Sequence, residues 1–325
     1  MPEDQRFDPK DIPDQSGKVA VITGGSRGIG YAVTESLLHK NIDKIFIVSD
    51  TQSGIDECLT SVKANVGEDA VKKLRWLQCD LADWVKVAEV AATIAKETDR
   101  IDILHGCASR GIMTYELTDY GVDRHMAMNV VAHVTLVSHL LPILKKTSES
   151  GKVRIVMEGS NAHQGTPNDT KFASIEELNR DLGPNGQYGR SKLGMMLYAK
   201  YLSNHLHSTH PNILANSCHP GFVHTKQSTE DIHEPYPIAG YGMSHLMAPF
   251  KKDQFQGALS ALFCATKTEK SGQYICVPAV PEEGSKLYQD PDGTLTENLM
   301  RLTTELVESK KPKESVQQGC PLTAA

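Results

Sequence analysis

The stretch from Lys18 to Leu38, KVAVITGGSRGIGYAVTESLL, constrains this chain more than any other. Val19, Ala20, Val21 and Ile22 form a short apolar run of the kind buried in a parallel sheet. Thr23-Gly24-Gly25-Ser26-Arg27-Gly28-Ile29-Gly30 follows without a break, and Ala32, Val33, Leu37 and Leu38 then recur at roughly helical spacing. The glycines therefore stand where a strand turns into a helix. A helix N-terminus presents unpaired N–H groups and a partial positive charge, and glycines let a pyrophosphate approach the backbone closely. On this stretch alone a glycine-rich turn without a ligand would read the same.

The rest of the chain repeats the rhythm. Runs of strand character fall at 44–49, 73–77, 101–105, 153–157, 213–218 and 273–277, and helical stripes at about 55–66, 87–95, 120–146, 188–207 and 256–265. Strands alternating with helices of this length predict an α/β fold: a single doubly wound Rossmann-type domain, its parallel sheet of about seven strands covered by helices on both faces. Its ligand belongs at the C-terminal edge of the strands. No linker-like break interrupts residues 17–285, so this span reads as one domain. Residues 1–16 read as a flexible polar lead, and 286–325 as a C-terminal helix with a disordered tail. Two stretches escape the pattern, 161–187 and 226–252, and loops of that length are usually functional or disordered.

Composition narrows the partners. Of 325 residues, 34 are basic and 40 acidic, mixed along the chain for a net charge of −6, which excludes a basic nucleic-acid or anionic-membrane surface. No run reaches about 18 apolar residues and no basic-then-apolar leader opens the chain, so neither a membrane span nor a secretion signal is expected. Seven widely spaced cysteines contain no C-x-x-C pair and read as buried or incidental thiols of a reducing compartment, the cytoplasm. His205, His207 and His210 cluster at a helix end without a completing carboxylate or cysteine, so no metal is expected.

Chemistry enters at Tyr188-Gly-Arg-Ser-Lys192. A tyrosine and a lysine at i and i+4 share one helix face about 6 Å apart. An ammonium at that distance favours phenolate, which suits a tyrosine to exchange protons near neutral pH. A surface tyrosine beside a solvated lysine has the same spacing, so the pair needs company.

The company is the order of the parts. T-G-x-x-x-G-I-G after a strand, Asp80-Leu81 after the third strand, Asn129 in the long helix, Ser160 after the fifth strand, Tyr188 with Lys192, and Pro220-Gly221 after the sixth strand together resemble the short-chain dehydrogenase/reductase family, over residues 17–285. The insert after Ser160 and the phrase Tyr-Gly-x-Ser-Lys-Leu look most like its branch of retinol-dehydrogenase-like and WW-domain-oxidoreductase-like enzymes. The resemblance implies an NAD(P)-dependent interconversion of an alcohol and a ketone or aldehyde. In that scheme Tyr188 gives or takes the proton at the substrate oxygen, Ser160 hydrogen-bonds that oxygen, Lys192 holds the nicotinamide ribose, and Asn129 holds a relay water. The implied cofactor-binding residues are Gly24, Ser26, Arg27, Gly28, Ile29, Gly30, Asp50, Asp80, Leu81, Cys107, Ala108, Tyr188, Lys192, Pro220, Gly221, Val223 and Thr225. On the residues alone Asp80 reads equally as a helix N-cap, as does Asp83.

Several expectations hang on the same resemblance. The family's Asn-Asn-Ala-Gly turn stands here as Gly106-Cys107-Ala108-Ser109, a departure that keeps a second reading open: a weak or inactive nicotinamide-binding protein serving as sensor, scaffold or biosynthetic helper. Arg27 is placed to meet a 2′-phosphate, whereas Asp50 would bond a free ribose diol, so the cofactor is NAD or NADP with a slight lean to NAD. Apolar residues in 226–252, among them Tyr236, Tyr241, Met247 and Phe250, suggest a lid over a small hydrophobic or polycyclic substrate. The helices near 120–146 and 188–207 are the candidates for a homodimer face.

Overall fold

In the computed structural model, residues 7–221, 223, 235 and 253–309 are described. Strands β1 (Val19–Thr23), β2 (Lys44–Ser49), β3 (Leu74–Gln78), β4 (Ile103–Gly106), β5 (Val153–Glu158), β6 (Ile213–His219), β7 (Tyr274–Cys276) and β8 (Val280–Glu282) form one sheet in the order β3-β2-β1-β4-β5-β6-β7-β8. Seven strands run parallel. The eighth, a three-residue edge strand, pairs antiparallel with β7. The order reverses at β1 and β4, whose adjacent C-terminal ends open the crevice where ligands of such sheets bind.

Both faces are covered because the central strands are apolar on both. Val19 and Val21 of β1 join one hydrophobic cluster while Ala20 and Ile22 join the other. The first cluster receives α3 (Trp84–Glu97), α4 (Ala132–Ser148) and α5 (Gly183–Leu206); the second receives α1 (Gly28–Leu38), α2 (Gln52–Asn65) and α6 (Leu259–Thr266). A wide π turn at Ala127–Val131 precedes α4. Gly194 of α5 lets that segment approach, since a Cβ there would lie 2.9 Å from Val130 Cγ2.

Residues 7–16 are not the flexible lead expected of them. Phe7 and Ile12 are buried, and the Phe7 ring meets Phe263 of α6 edge-on at 5.7 Å, so two apolar side chains anchor a polar stretch. Nor does packing stop at residue 285. Helix α7 (Thr294–Ser309) lays Leu295, Leu299, Met300 and Leu302 into the first cluster against α5. The 161–187 insert is built around Glu177, whose carboxylate accepts the N–H groups of Lys171, Phe172 and Ala173, while Arg190 of α5 donates to the carbonyl of Glu177. The lid residues of 226–252 lie outside the described residues, Pro235 excepted, as does the tail after 309.

Candidate active site

The glycine loop joins β1 to α1 at the crevice. Arg27 stands at the N-cap in an extended conformation without a side-chain cap bond, so no side chain closes the N-terminus of α1. A Cβ on Gly30 would lie 2.3 Å from the carbonyl oxygen of Gly24, so the tight turn admits only glycine there. Gly24 and Gly28 have positive φ, and Gly24 lies against Ala108 of the turn after β4. The cradle suits an anion: an uncapped helix end and backbone bare of side chains face the crevice.

Beyond the cradle the structure sorts the remaining candidates. Ser26 Oγ bonds Ser49 Oγ at 3.3 Å at the end of β2, and Ile29 packs against the second cluster. Arg27 reaches the first turn of α2, its guanidinium 3.1 Å from Ser53 Oγ and 3.4 Å from Glu57. Asp50, directly after β2, is exposed, and Thr51, the N-cap of α2, makes no side-chain cap bond. Asp80 does not cap a helix. Asp83 does, accepting from Lys86 N, whereas Asp80 accepts from Ala82 N at 2.8 Å and pairs with Arg124 at 3.0 Å, with Leu81 buried beside it.

The four proposed catalytic residues occupy one neighbourhood. Tyr188 lies in the second turn of α5, partly exposed, with Lys192 Nζ 5.6 Å from its ring centroid. Lys192 is 1% exposed and donates to the carbonyl of Glu158 at 2.8 Å. Two residues on, Ser160 caps a short 3-10 turn, its Oγ accepting from Ala162 N. That turn abuts α5: a Cβ on Gly189 would sit 2.6 Å from the Ala162 carbonyl oxygen. Asn129, in the π turn, is fully buried, its amide bonded to both backbone groups of Arg110 and to Ser191 Oγ, which in turn donates to the Tyr188 carbonyl.

The Gly106–Ser109 turn is held without asparagines. Thr23 Oγ1 accepts the N–H groups of Cys107 and Ala108 at 2.9 and 3.0 Å. Burial, then the Glu158 carboxylate, pushes the Cys107 thiol up, so it is no nucleophile at neutral pH. On the far side Pro220 and Gly221 follow β6, and Val223 is buried against Gly257; Thr225 lies outside the described residues. Arg110, His133 and Arg124 are residues of the site that stand in no motif, and Thr23 and Ser191 stand inside motifs without having been assigned a role; the part each plays is found only by what it touches. Beneath the floor, His105 of β4, Glu158 of β5 and Cys218 of β6 form a buried group, Glu158 Oε2 lying 2.9 Å from His105 Nε2 and 3.4 Å from Cys218 Sγ.

Known proteins arrange themselves around the same reading. The family model described as short chain dehydrogenase matches residues 18–174. A Neurospora crassa protein, bli-4, whose name assigns it to the mitochondrial oxidoreductases, is 49% identical over 97% of this chain and 78% of its own length. The polyprenol dehydrogenase of Danio rerio is 27% identical over 81% of this chain and 78% of its own. Among solved structures, the L-sorbose reductase of Gluconobacter frateurii with NADPH and L-sorbose superposes with a TM-score of 0.61 at 21% identity, covering 81% of this chain and 97% of that one. An uncharacterized protein of Mycobacterium paratuberculosis reaches 0.70 at 20% identity, covering 94% and 99%. These two likenesses concern the fold; the bli-4 identity concerns descent, and with it the chain belongs to the short-chain dehydrogenase/reductase family of NAD(P)-dependent oxidoreductases.

Proposed function

We propose that this chain interconverts an alcohol and a ketone or aldehyde, with Tyr188 as the proton donor or acceptor at the substrate oxygen. The observation that carries the reading is the pairing of a partly exposed Tyr188 hydroxyl-bearing ring with a buried Lys192 ammonium 5.6 Å from it, beside the Ser160 turn. A bound nicotinamide would supply or take the hydride at its C4. The chain's residues do the rest. Ser160 Oγ accepts from Ala162 N, which leaves its hydrogen free to donate to the substrate oxygen. Lys192 spends one of three donors on Glu158, and two remain for ribose hydroxyls and a relay. The Asn129 side chain is fully engaged with Arg110 and Ser191, and it steadies the Tyr188 turn through Ser191.

Charge placement moves our reading of the cofactor from NAD toward NADP(H). A 2′-phosphate beside Arg27 would meet a guanidinium, the Ser53 hydroxyl and the uncapped N-terminus of α2, and would compete with the exposed Glu57 carboxylate for the guanidinium, with Asp50 the second carboxylate nearby in sequence. For the substrate we keep a hydrophobic alcohol or carbonyl, on the apolar sequence of 226–252; the zebrafish relative's name implies an apolar alcohol for that protein. The test is NADPH and NADH consumption over a panel of ketones and aldehydes, with Tyr188→Phe as control. Turnover lost in the variant with cofactor affinity held within a few-fold supports the reading. Unchanged turnover would sink it, and silence on every substrate alongside tight cofactor binding would favour the binding-protein alternative.

A further inference from the structure

Gly106 and His133 fill one space between them. A Cβ on Gly106 would lie 2.8 Å from His133 Cδ2 and 3.3 Å from its Nε2, so the imidazole occupies the volume that a side chain at 106 would need. His133 is fully buried and both its nitrogens are engaged: Nδ1 lies 3.1 Å from the Asn129 carbonyl oxygen and Nε2 lies 2.9 Å from Thr23 Oγ1. A carbonyl only accepts, so Nδ1 carries the hydrogen and Nε2 accepts from the Thr23 hydroxyl. With its hydrogen committed to His133, Thr23 Oγ1 turns its lone pairs to the N–H groups of Cys107 and Ala108. Every donor and acceptor along this line is matched, the condition under which a buried polar network fixes one geometry.

We propose that His133 is a positioning residue for the reaction, a strut that sets the Cys107–Ala108 floor and the Gly24 cradle against the helix of the catalytic residues. The line continues on both sides. Thr23 leads directly into Gly24, which touches Ala108. Asn129, whose carbonyl His133 holds, reaches through its side-chain amide to Ser191, and Ser191 to the Tyr188 carbonyl. A turn whose residue 106 has no side chain thus receives its support from a helix elsewhere in the chain. Burial, then the Lys192 charge, pushes His133 down to about 3, so the imidazole stays in the one neutral form that fits both partners.

The inference rests on the cofactor site read above, and its test separates the two. In His133→Asn the amide can still reach the Asn129 carbonyl but falls short of Thr23; in His133→Gln it reaches Thr23. Thr23→Val removes the hydroxyl at constant shape. NADPH affinity should weaken about tenfold in His133→Asn and in Thr23→Val, stay within threefold in His133→Gln, and weaken no further in the Thr23→Val, His133→Asn pair. With any carbonyl the panel finds, the cofactor KM should rise about tenfold while the substrate KM stays within twofold, a split that loss of stability alone would not produce. In the apo protein the Cys107 amide should exchange at least tenfold faster in His133→Asn and Thr23→Val, a readout that stands even if no nicotinamide cofactor binds; Ala108 N keeps its second bond, to the Thr23 main-chain carbonyl. Unaltered amide exchange in both variants, or losses that multiply in the pair, would overturn the proposal; should His133→Asn fail to fold, Thr23→Val decides alone.

Discussion

Lys192 Nζ donates a 2.8 Å hydrogen bond to the main-chain carbonyl of Glu158, tying helix α5 to the last residue of β5. The bond fixes an ammonium, 1% exposed, at the C-terminal edge of the sheet, and Ser160 follows two residues after its acceptor. One backbone oxygen thus sets the distance between Lys192 and the serine turn.

Lys192→Met should therefore lose more than a charge. Turnover should fall about a thousandfold, within the range that positioned acid–base groups contribute. The Glu158 carbonyl would be left buried without this donor, at a cost of about 1–3 kcal/mol. Steady-state kinetics and urea unfolding of the same variant check both numbers; turnover within tenfold of the parent would show that Lys192 does not act on Tyr188.

The proposed preference for NADP(H) is tested at Arg27. Its guanidinium sits at the first turn of α2 with Ser53, and Glu57 shares it at the exposed end. Arg27→Ala should weaken NADPH binding about tenfold or more and leave NADH within twofold, because only the 2′-phosphate meets that charge. Asp50→Ala should strengthen NADPH modestly. Equal loss of both cofactors in Arg27→Ala, measured by calorimetry, would place the guanidinium elsewhere in the binding mode.

Acid should destabilise the fold through histidines that are buried neutral. Burial, then the Lys192 charge, pushes His133 from the ordinary 6.5 to about 3, and burial pushes His219 to about 4. Between those values and 6.5 the unfolded chain binds protons that the folded chain does not, so their contribution is intact above pH 6.5 and is lost as the pH falls toward 4. Each histidine should steepen the decline by up to about 1.4 kcal/mol per pH unit. Urea unfolding at pH 7, 6 and 5 checks this, and His133→Gln should shed one proton's share of the slope. A flat stability across that interval would contradict the neutral assignment.

How much of this was legible in the chain depends on how local each cause is. Strand β2 runs over 44–49 as read, because a continuous apolar run ending at a polar residue is its own signal. Helix α5 was expected from Tyr188 and starts at Gly183: Gly183 takes a positive φ and Pro184 suits a first turn, cues that the loop's polar composition hid. The three residues of β8 are too few to show a period. For Asp80 an adenine contact and a helix cap read alike in sequence, and the cap falls to Asp83, which accepts from Lys86 N, while Asp80 accepts from Ala82 N and pairs with Arg124. The order of Gly30, Asn129, Ser160, Tyr188 and Lys192 marked residues that the fold gathers at one edge of the sheet, since motif spacing survives in one dimension. His133 could not be read, because its meaning lies in the missing side chain of Gly106, on another element.

The last relationship concerns copies of the chain. The helices near 120–146 and 188–207 were the expected homodimer face, yet α7 lies on α5 and on the π turn, with Leu299 Cδ1 3.8 Å from where a Cβ on Gly194 would be, and α3 packs along α4. Leu193, Met195, Met196 and Leu197 are accordingly buried within one chain. A face already covered has little apolar area left to gain from a second copy. Light scattering at micromolar concentration should give a mass near 35.6 kDa. Leu299→Ala, at a fully buried position, should cost about 2–5 kcal/mol, and removal of residues 291–325 should expose the α5 face and produce self-association. A stable dimer of the intact chain whose interface maps to α4 and α5 would overturn this account of α7.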